Sequence, residues 1–242
     1  MSIDLAMVMP VYNEEACIAR VIDSWRRLLT SLDVRFELIV VNDGSLDGTA
    51  GALAQFKEDQ RIQVVNKQNS GHGPSILVGY HRAVQAADWV FQCDSDDEIS
   101  ADYFSDLWVR RNNFAALFGT RTGRKQSASR KLITLGSRLA VRLRYGHGIA
   151  DVNTPYRLMR ADLLKQIIKQ IPADTFAPNI IISGVFSKNG LPIYEHPVRH
   201  VSRQTGVNSL RNLKLWNSAV KSLWQLVWCC PVISYPSRAG QN

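Results

Sequence analysis

No stretch of this 242-residue chain is apolar for long enough to cross a bilayer, which takes about 18–20 residues. The N-terminal residues lack the basic segment and cleavage site of a signal peptide, so we expect none. The four cysteines, at positions 17, 93, 229 and 230, show neither metal-binding spacing nor a disulfide framework. These absences argue against a secreted disulfide scaffold and favour a reducing, cytoplasmic setting.

Acidic residues are missing from two parts of the chain, although they dominate its beginning. None lies between Asp106 and Asp151, where ten Arg and Lys occur, and none follows Glu195, after which six occur. Residues 1–106 instead hold 17 acidic and 8 basic side chains, within a total net charge of +8. The basic stretches are candidates for contact with a lipid phosphate, a membrane surface or nucleic acid, and the alternative is a solvated basic face.

Strand-like apolar runs alternate with helical patterns along most of the chain. This alternation predicts an α/β fold with a mostly parallel sheet covered by helices on both faces. The predicted strands are Leu5–Met9, Phe36–Val41, Ile62–Val65, Trp89–Cys93, Ala115–Thr120 and Tyr156–Met159, with an extended segment at Leu191–Pro197. The predicted helices are Ala16–Leu32, Thr49–Phe56, Ser75–Ala86, Ala101–Arg111, Lys131–Tyr145 and Asp162–Ile171.

The end of the chain carries a basic pattern rich in Trp and Leu, which predicts a further helix at 209–228. We therefore expect one domain at 1–208 and a basic, aromatic helical appendage at 209–242. Such a helix could lie in the headgroup layer of a membrane, and the alternative is that it packs on the domain and closes its core.

A cluster of carboxylates directly follows the fourth predicted strand. The segment Asp94-Ser95-Asp96-Asp97-Glu98 places an Asp-x-Asp pair at the rim of the sheet. Two such oxygen ligands suit Mg²⁺ or Mn²⁺ when the cation also holds a diphosphate. An acidic loop on its own is more often solvated turn chemistry, so its neighbours decide the interpretation.

Three other motifs precede this pair in the chain. They are Pro10-Val11-Tyr12-Asn13-Glu14-Glu15, Val41-Asn42-Asp43-Gly44-Ser45 and Asn69-Ser70-Gly71-His72-Gly73. With Asp94-Ser95-Asp96 they resemble the nucleotide-sugar-binding half of family 2 glycosyltransferases with the GT-A (Rossmann-like) fold, over about residues 3–120. The resemblance implies a nucleotide-sugar site formed by Pro10, Tyr12, Glu14, Asp43, Gly71, Gly73, Asp94 and Ser95. It also implies a divalent cation held by Asp96, with Asp94 supporting it either directly or through the ribose. Glu98, where relatives often carry Gln, is a further metal ligand in this interpretation.

Each of these assignments has an ordinary structural alternative. Asp43 lies in a sequence that would form an Asx turn without any ligand. Tyr12 could simply pack at the rim of the sheet, and Gly71 and Gly73 could be plain loop glycines.

The second half of the chain narrows the resemblance. The segment Asp151-Val152-Asn153-Thr154-Pro155-Tyr156-Arg157-Leu158 looks like the Asp…Phe/Tyr-Arg-Leu segment of dolichyl- and undecaprenyl-phosphate sugar transferases. Glu195-His196-Pro197-Val198 with Arg203-Gln204-Thr205-Gly206 is similar to their Glu-x-Pro-Val…Arg-x-x-Gly segment. The Gln-x-x-Arg-Trp motif of processive polysaccharide synthases is missing, which argues against a polymerase.

The resemblance implies catalytic roles for Asp94, Asp96, Asp151, Arg157 and Arg203, and an acceptor phosphate site at Arg121, Arg130, Thr134 and Arg203. Thr134 is a departure, because relatives carry Ser there.

The acceptor decides which chemistry is needed. A phosphate monoester is largely a dianion at neutral pH, so it needs cationic side chains and no base. A saccharide hydroxyl would need a carboxylate base, for which Asp151 is the first candidate and Glu195 the second. The alternative for Asp151 is that it braces Arg157.

The sequence thus predicts an inverting, metal-dependent glycosyltransferase that uses a nucleotide-diphosphate sugar and polyprenyl phosphate. We expect it to be cytoplasmic and peripheral on the inner face of the membrane. Transfer to a saccharide hydroxyl during cell-envelope glycan assembly is the alternative reaction. A further alternative is that the protein is not an enzyme but a non-catalytic subunit that binds nucleotide-sugar. Nucleic acid is not expected as a partner, because the basic stretches lack interleaved stacking aromatics.

Overall fold

The computed structural model describes residues 3–123, 145–146, 149–201, 229 and 231–234. The predicted helices at 131–145 and 209–228 lie outside these residues, apart from Tyr145. So do Arg130, Thr134 and Arg203 of the predicted acceptor site, so their roles stay predictions. Of the predicted appendage at 209–242, the described residues 229 and 231–234 pack on the domain: Ile233 is buried, and Nε2 of Gln170 donates to the carbonyl of Val232 (2.8 Å).

The described residues form a seven-stranded sheet with helices on both faces. Its strands are β1 (Ile3–Val11), β2 (Phe36–Asn42), β3 (Ile62–Asn66), β4 (Ala87–Gln92), β5 (Ala116–Thr122), β6 (Arg157–Arg160) and β7 (Ile193–Arg199). The strand order is β3-β2-β1-β4-β6-β5-β7. β6 runs antiparallel to β4 and β5, whereas the other neighbouring pairs are parallel. The predicted α/β fold with a mostly parallel sheet is confirmed.

The helices divide between the two faces because each central strand buries side chains on both sides. The described α-helices are α1 (Ile18–Ser31), α2 (Thr49–Ala54), α3 (His72–Ala86), α4 (Phe104–Arg110), α5 (Ala161–Ile168) and α6 (Pro178–Lys188), with short 3-10 helices at Ala101–Tyr103 and Arg111–Asn113. In β1, Leu5 and Met7 belong to the core under α1 and α4, whereas Ala6 and Val8 belong to the core under α3, α5 and α6. This alternation is the period of two that a strand requires.

Most predicted elements are present, with two differences that affect the candidate site. Helix α3 begins at His72, three residues before its predicted start, so His72 and Gly73 lie in its first turn. Helix α6 was not predicted at all. All residues from Pro178 to Phe186 are buried, so the helix has no polar face and lacks the amphipathic period that reveals a surface helix.

Within the described ranges, none of the helices combines the length and the apolar composition that a membrane span requires.

Candidate functional site

The predicted nucleotide and metal residues Pro10–Glu14, Asp43 and Asp94–Glu98 lie at one edge of the sheet, where β1, β2 and β4 end. These strands are parallel, so the loops that follow Val11, Asn42 and Gln92 leave the sheet on the same side. The chain order of the strands reverses between β1 and β4, because β1 leads to β2 on one side and β4 lies on the other. In open α/β sheets this reversal opens a crevice that binds ligands.

Backbone and side-chain hydrogen bonds join the loops after β1 and β2. The backbone N–H of Asn13 donates to Oγ of Ser45 (3.0 Å), and that of Leu46 donates to Oδ1 of Asn13 (2.8 Å). Asn13 has φ +55°, a left-handed conformation that Asn tolerates better than most residues. These bonds make one wall of the crevice from the two predicted nucleotide-binding loops.

Three of the predicted nucleotide-binding side chains near this wall are buried. Pro10 lies within β1, and Glu14 is 8% exposed with its Oε2 3.3 Å from Sγ of Cys17. Ser95 is 5% exposed, and its carbonyl oxygen lies 3.5 Å from the same Sγ. Tyr12 is half-buried at the end of β1. Only Tyr12 therefore offers substantial side-chain surface here, and ligand contact by the four residues stays a prediction.

The Asp43 carboxylate folds the following loop against β2. It is buried, it accepts hydrogen bonds from the backbone N–H groups of Ser70 and Gly71 (both 2.9 Å), and it forms an ion pair with Lys67. The neighbouring Asn42 also binds this loop, because its Oδ1 accepts from the backbone N–H (3.2 Å) and from Oγ (2.7 Å) of Ser45. Contact of Asp43 with a base or ribose stays a prediction, and any such ligand would meet a carboxylate that already has three donors.

The two predicted glycines differ in what requires them. Gly71 has φ +100°, and a Cβ atom there would meet open space. A Cβ atom on Gly73 would lie 2.2 Å from the carbonyl oxygen of Phe176 and 2.3 Å from that of Thr175. Close packing of α3 on the segment before α6 therefore explains Gly73 without any ligand.

We expect Gly73→Ala to lower the free energy of unfolding by about 2–3 kcal/mol, because the new methyl group must displace backbone. Gly71→Ala should cost about 1 kcal/mol, because only its backbone conformation is unfavourable. Urea denaturation of both variants would measure this. Equal losses would contradict the packing explanation.

The Asp-x-Asp residues line a small cavity beyond the end of β4. Asp94, Asp96 and Glu98 line it on one side, and Arg121, Tyr156 and His200 line it elsewhere. His200 approaches because Ile99 and His200 form an isolated antiparallel bridge at the end of β7. The structure thus brings together the three predicted metal ligands and one predicted acceptor-site arginine.

The side chains that line this cavity are of the types that bind divalent cations, because they include three carboxylates. One of them, Glu98, has its Oε2 2.7 Å from Nε2 of His200. In the part of the chain that the structure describes, no three His, Cys, Asp or Glu side chains converge tightly enough to form a complete metal cluster. Mg²⁺ keeps several waters and takes one or two protein carboxylates plus phosphate oxygens, so it needs no such cluster.

Arg121 is held at the cavity by Asp151. Its Nε donates to Oδ2 of Asp151 (2.7 Å), and its Nη2 donates to Oδ1 of Asp151 (2.9 Å) and to the carbonyl of Asn153 (3.3 Å). Burial alone would lower the pKa of Arg121, but the bonds and charge of Asp151, with the nearby charges of Asp94 and Glu98, raise it above its ordinary value. Arg121 is therefore a fixed cation at the cavity wall. Asp151 braces Arg121, and the alternative that it braces Arg157 is wrong.

Arg157 lies elsewhere, so the catalytic role predicted for it is corrected. Its side chain is 0% exposed and donates to the carbonyls of Thr154 (2.9 Å) and Asn179 (3.2 Å). Further bonds reach the carbonyl of Val152 and Oγ of Ser183. Burial lowers its pKa to about 10. The guanidinium is enclosed by protein and does not face the crevice, so it cannot touch a substrate in this conformation.

The second candidate base, Glu195, is exposed on β7. Its Oε1 accepts from the backbone N–H of Ala150 (2.8 Å) and from Oγ1 of Thr120 (3.3 Å). Its carboxylate thus ties the Ala150 segment to β5 and β7.

Sequence reasoning missed two polar residues that support the site, Lys67 and Gln92. Lys67 neutralises Asp43, and Gln92 hydrogen-bonds to Asp94. The sequence did contain an indication of the role of Gln92. It ends an apolar strand, so its amide is expected to be buried, and a buried amide must have hydrogen-bond partners.

The sheet order and the acidic ends of its parallel strands define the GT-A fold of glycosyltransferases. Glucosyl-3-phosphoglycerate synthase from Mycobacterium tuberculosis, solved in complex with Mn²⁺, UDP and glucosyl-3-phosphoglycerate, superposes with a TM-score of 0.70 at 19% identity. The match covers 94% of this chain and 80% of that one. Its complex with phosphoglyceric acid gives a TM-score of 0.71.

The chain belongs to glycosyl transferase family 2, whose family model matches residues 6–168. Undecaprenyl-phosphate 4-deoxy-4-formamido-L-arabinose transferases from Pectobacterium atrosepticum and Proteus mirabilis are 27% and 25% identical to it, over 218 and 217 residues. Each match covers 88% of this chain and 64% of the relative. The chain therefore spans just under two thirds of the length of these curated relatives.

Proposed function

We propose that this glycosyltransferase moves a sugar, with inversion at the anomeric carbon, from a nucleotide-diphosphate sugar to a polyprenyl phosphate. The observation that carries the proposal is the cavity in which Asp94, Asp96 and Glu98 face the fixed cation Arg121. Carboxylates suit the metal-bound diphosphate of a donor, and a guanidinium suits an acceptor phosphate. The names of the relatives support this acceptor class.

On the donor side, Asp94 and Asp96 would hold Mg²⁺ or Mn²⁺, with Glu98 as a further oxygen ligand. The bound cation would neutralise the charge that develops on the leaving diphosphate. The joined loops after β1 and β2 would hold the nucleoside, with Tyr12 at the rim and the Asp43–Lys67 pair below it. The donor could carry uridine or guanosine.

On the acceptor side, Arg121 would orient the lipid phosphate toward the sugar. A phosphate dianion is already a nucleophile, so the reaction needs a positioned cation and no proton acceptor. Asp151 would keep the guanidinium in place through its two hydrogen bonds. Arg130, Thr134 and Arg203 would complete the phosphate site.

Two alternatives are less well supported. A saccharide hydroxyl needs a free carboxylate base, but Asp151 is bound at both oxygens by Arg121 and Glu195 accepts two hydrogen bonds. A non-catalytic subunit would have no need for the carboxylates that line the cavity.

Asp151→Asn separates the two acceptor classes. If Asp151 only braces Arg121, we expect the transfer rate to fall about tenfold, because one neutral oxygen still accepts from the guanidinium. If Asp151 is the base for a hydroxyl, the loss should reach about 10²–10⁴-fold. Steady-state rates at saturating donor would distinguish these results.

We also propose that residues 1–208 form the catalytic domain and that 209–242 bring it to the inner face of the cytoplasmic membrane. A chain ending at residue 208 should then lose its recovery with membranes while keeping donor binding.

The direct test is an assay of the purified chain with UDP- and GDP-sugars and a short polyprenyl phosphate. Metal-dependent formation of a lipid-linked sugar, abolished by chelator, is expected, and NMR of the product would give its anomeric configuration. Transfer to a saccharide in place of the lipid would overturn the acceptor assignment and leave the donor assignment standing.

A further inference from the structure

A buried polar array lies directly below the acidic cavity and ends on one of its carboxylates. Gln92, the last residue of β4, is 0% exposed. Its Oε1 accepts from Nδ2 of Asn179 (2.8 Å) and lies 3.1 Å from the hydroxyl of Tyr80. Its Nε2 donates to Oδ1 of Asp94 at 3.3 Å. A single amide thus connects the interior of the domain to the Asp-x-Asp pair.

The orientation of this amide follows from its partners. An ionised carboxylate only accepts hydrogen bonds, so the end of Gln92 that meets Asp94 must be the NH₂ group. The opposite end must then be the oxygen, which matches the NH₂ group of Asn179. Burial raises the pKa of the Tyr80 hydroxyl well above its ordinary value, so it stays a donor.

The far side of the array is fixed by Arg157. Gln92 and Arg157 face each other in the antiparallel pairing of β4 with β6. The guanidinium donates to the backbone carbonyl of Asn179 and to Oγ of Ser183, both in α6. Asn179 is therefore held through its backbone by Arg157 and through its side chain by Gln92. None of these groups can rotate without leaving a buried polar atom unpaired, which is costly.

We propose that Gln92 is a positioning residue that orients Asp94 for the divalent cation. By binding Oδ1, the amide fixes the carboxylate rotamer, so that Oδ2 is the oxygen offered to the metal. This inference rests on the proposed function, because it concerns the cation of that reaction. It gives the buried Asn179 of α6 a role in metal binding through Gln92, although Asn179 itself does not line the cavity.

The first test is Gln92→Met, which keeps the length and the apolar stem of the side chain and removes its donor and acceptor. We expect the Mn²⁺ dissociation constant, measured by electron paramagnetic resonance with UDP present, to rise about tenfold. UDP affinity without metal should stay within about twofold. Ser183→Ala is the matched control, because it removes a bond of Arg157 in the same array outside the path to Asp94.

The second test changes the array without touching Asp94 or Gln92. Asn179→Asp keeps shape and replaces the NH₂ group by an acceptor, so the Gln92 amide should turn over and present its oxygen to Asp94. The Mn²⁺ dissociation constant should therefore rise in this variant, as it should in Gln92→Met. This variant also decides the matter if Gln92→Met does not fold.

Unchanged Mn²⁺ affinity in the folded variants, with only a lower melting temperature, would mean that the array is structural and would overturn the inference. An equal loss of affinity in Ser183→Ala would overturn it too, because the effect would then be general. Wild-type protein that binds no Mn²⁺ would instead contradict the proposed metal dependence, and the inference would fall with it.

Discussion

Replacing Asp96 by Asn should reduce sugar transfer about 10³-fold or more, a loss of about 4 kcal/mol of transition-state stabilisation. Asp96 lines the acidic cavity, and its charge would be a main attraction for the cation on the diphosphate. Asn keeps the size of the side chain and the Oδ1 atom that accepts from the backbone N–H of Glu98 (3.2 Å). The loop should therefore keep its shape while losing the charge. Initial rates across a range of Mg²⁺ and Mn²⁺ concentrations would measure the loss.

The neighbouring Asp97 offers a matched control. Asp97 is exposed, has φ +58° and pairs with Arg20 at the surface. Asn also tolerates this left-handed conformation, and an exposed ion pair contributes about 0–1 kcal/mol. Asp97→Asn should thus keep activity within about threefold. Full activity of Asp96→Asn at added metal would remove Asp96 from the proposed metal site.

The fold was predictable from local patterns where those patterns repeat. In the first 120 residues each apolar run of strand length is followed by a helical period, and the parallel sheet follows from that alternation. The antiparallel β6 and the helix α6 depend on packing between distant segments. In particular, α6 is buried on all sides, so its sequence carries apolar content without a period.

The candidate site shows the same division. The Asp-x-Asp pair could be found because its residues are adjacent in sequence and follow a strand. The partner of Asp151 could not be found from the sequence, because Arg121 on β5 is 30 positions away from it in the chain. Arg157 stands in a segment that resembles a functional motif, but β6 is buried on both faces, so its side chain is enclosed in the core. A motif gives the residue type, whereas burial decides whether the residue meets a ligand.

Replacing Arg121 by Met should lower kcat/KM for the acceptor about 100-fold, a loss of about 2.7 kcal/mol, because the proposed phosphate contact loses its charged donors. Donor binding should stay within about twofold, since the carboxylates of the Asp-x-Asp pair are unchanged. Met keeps the apolar stem, which limits the packing change. Acceptor titrations with nucleotide-sugar at saturation would measure the first effect, and equilibrium binding of UDP would measure the second.

Arg160→Met is the matched control for this variant. Arg160 also holds a carboxylate with two hydrogen bonds, from Nε and Nη2 to Asp162 (3.1 and 2.7 Å), but it lies at the start of α5, away from the acidic cavity. Its loss should leave kcat/KM for the acceptor within about twofold. An equal fall in both variants would assign the effect to the fold. An Arg121→Met enzyme that loses donor affinity and keeps its acceptor KM would place the cation on the diphosphate, and the acceptor phosphate would then have to be bound elsewhere.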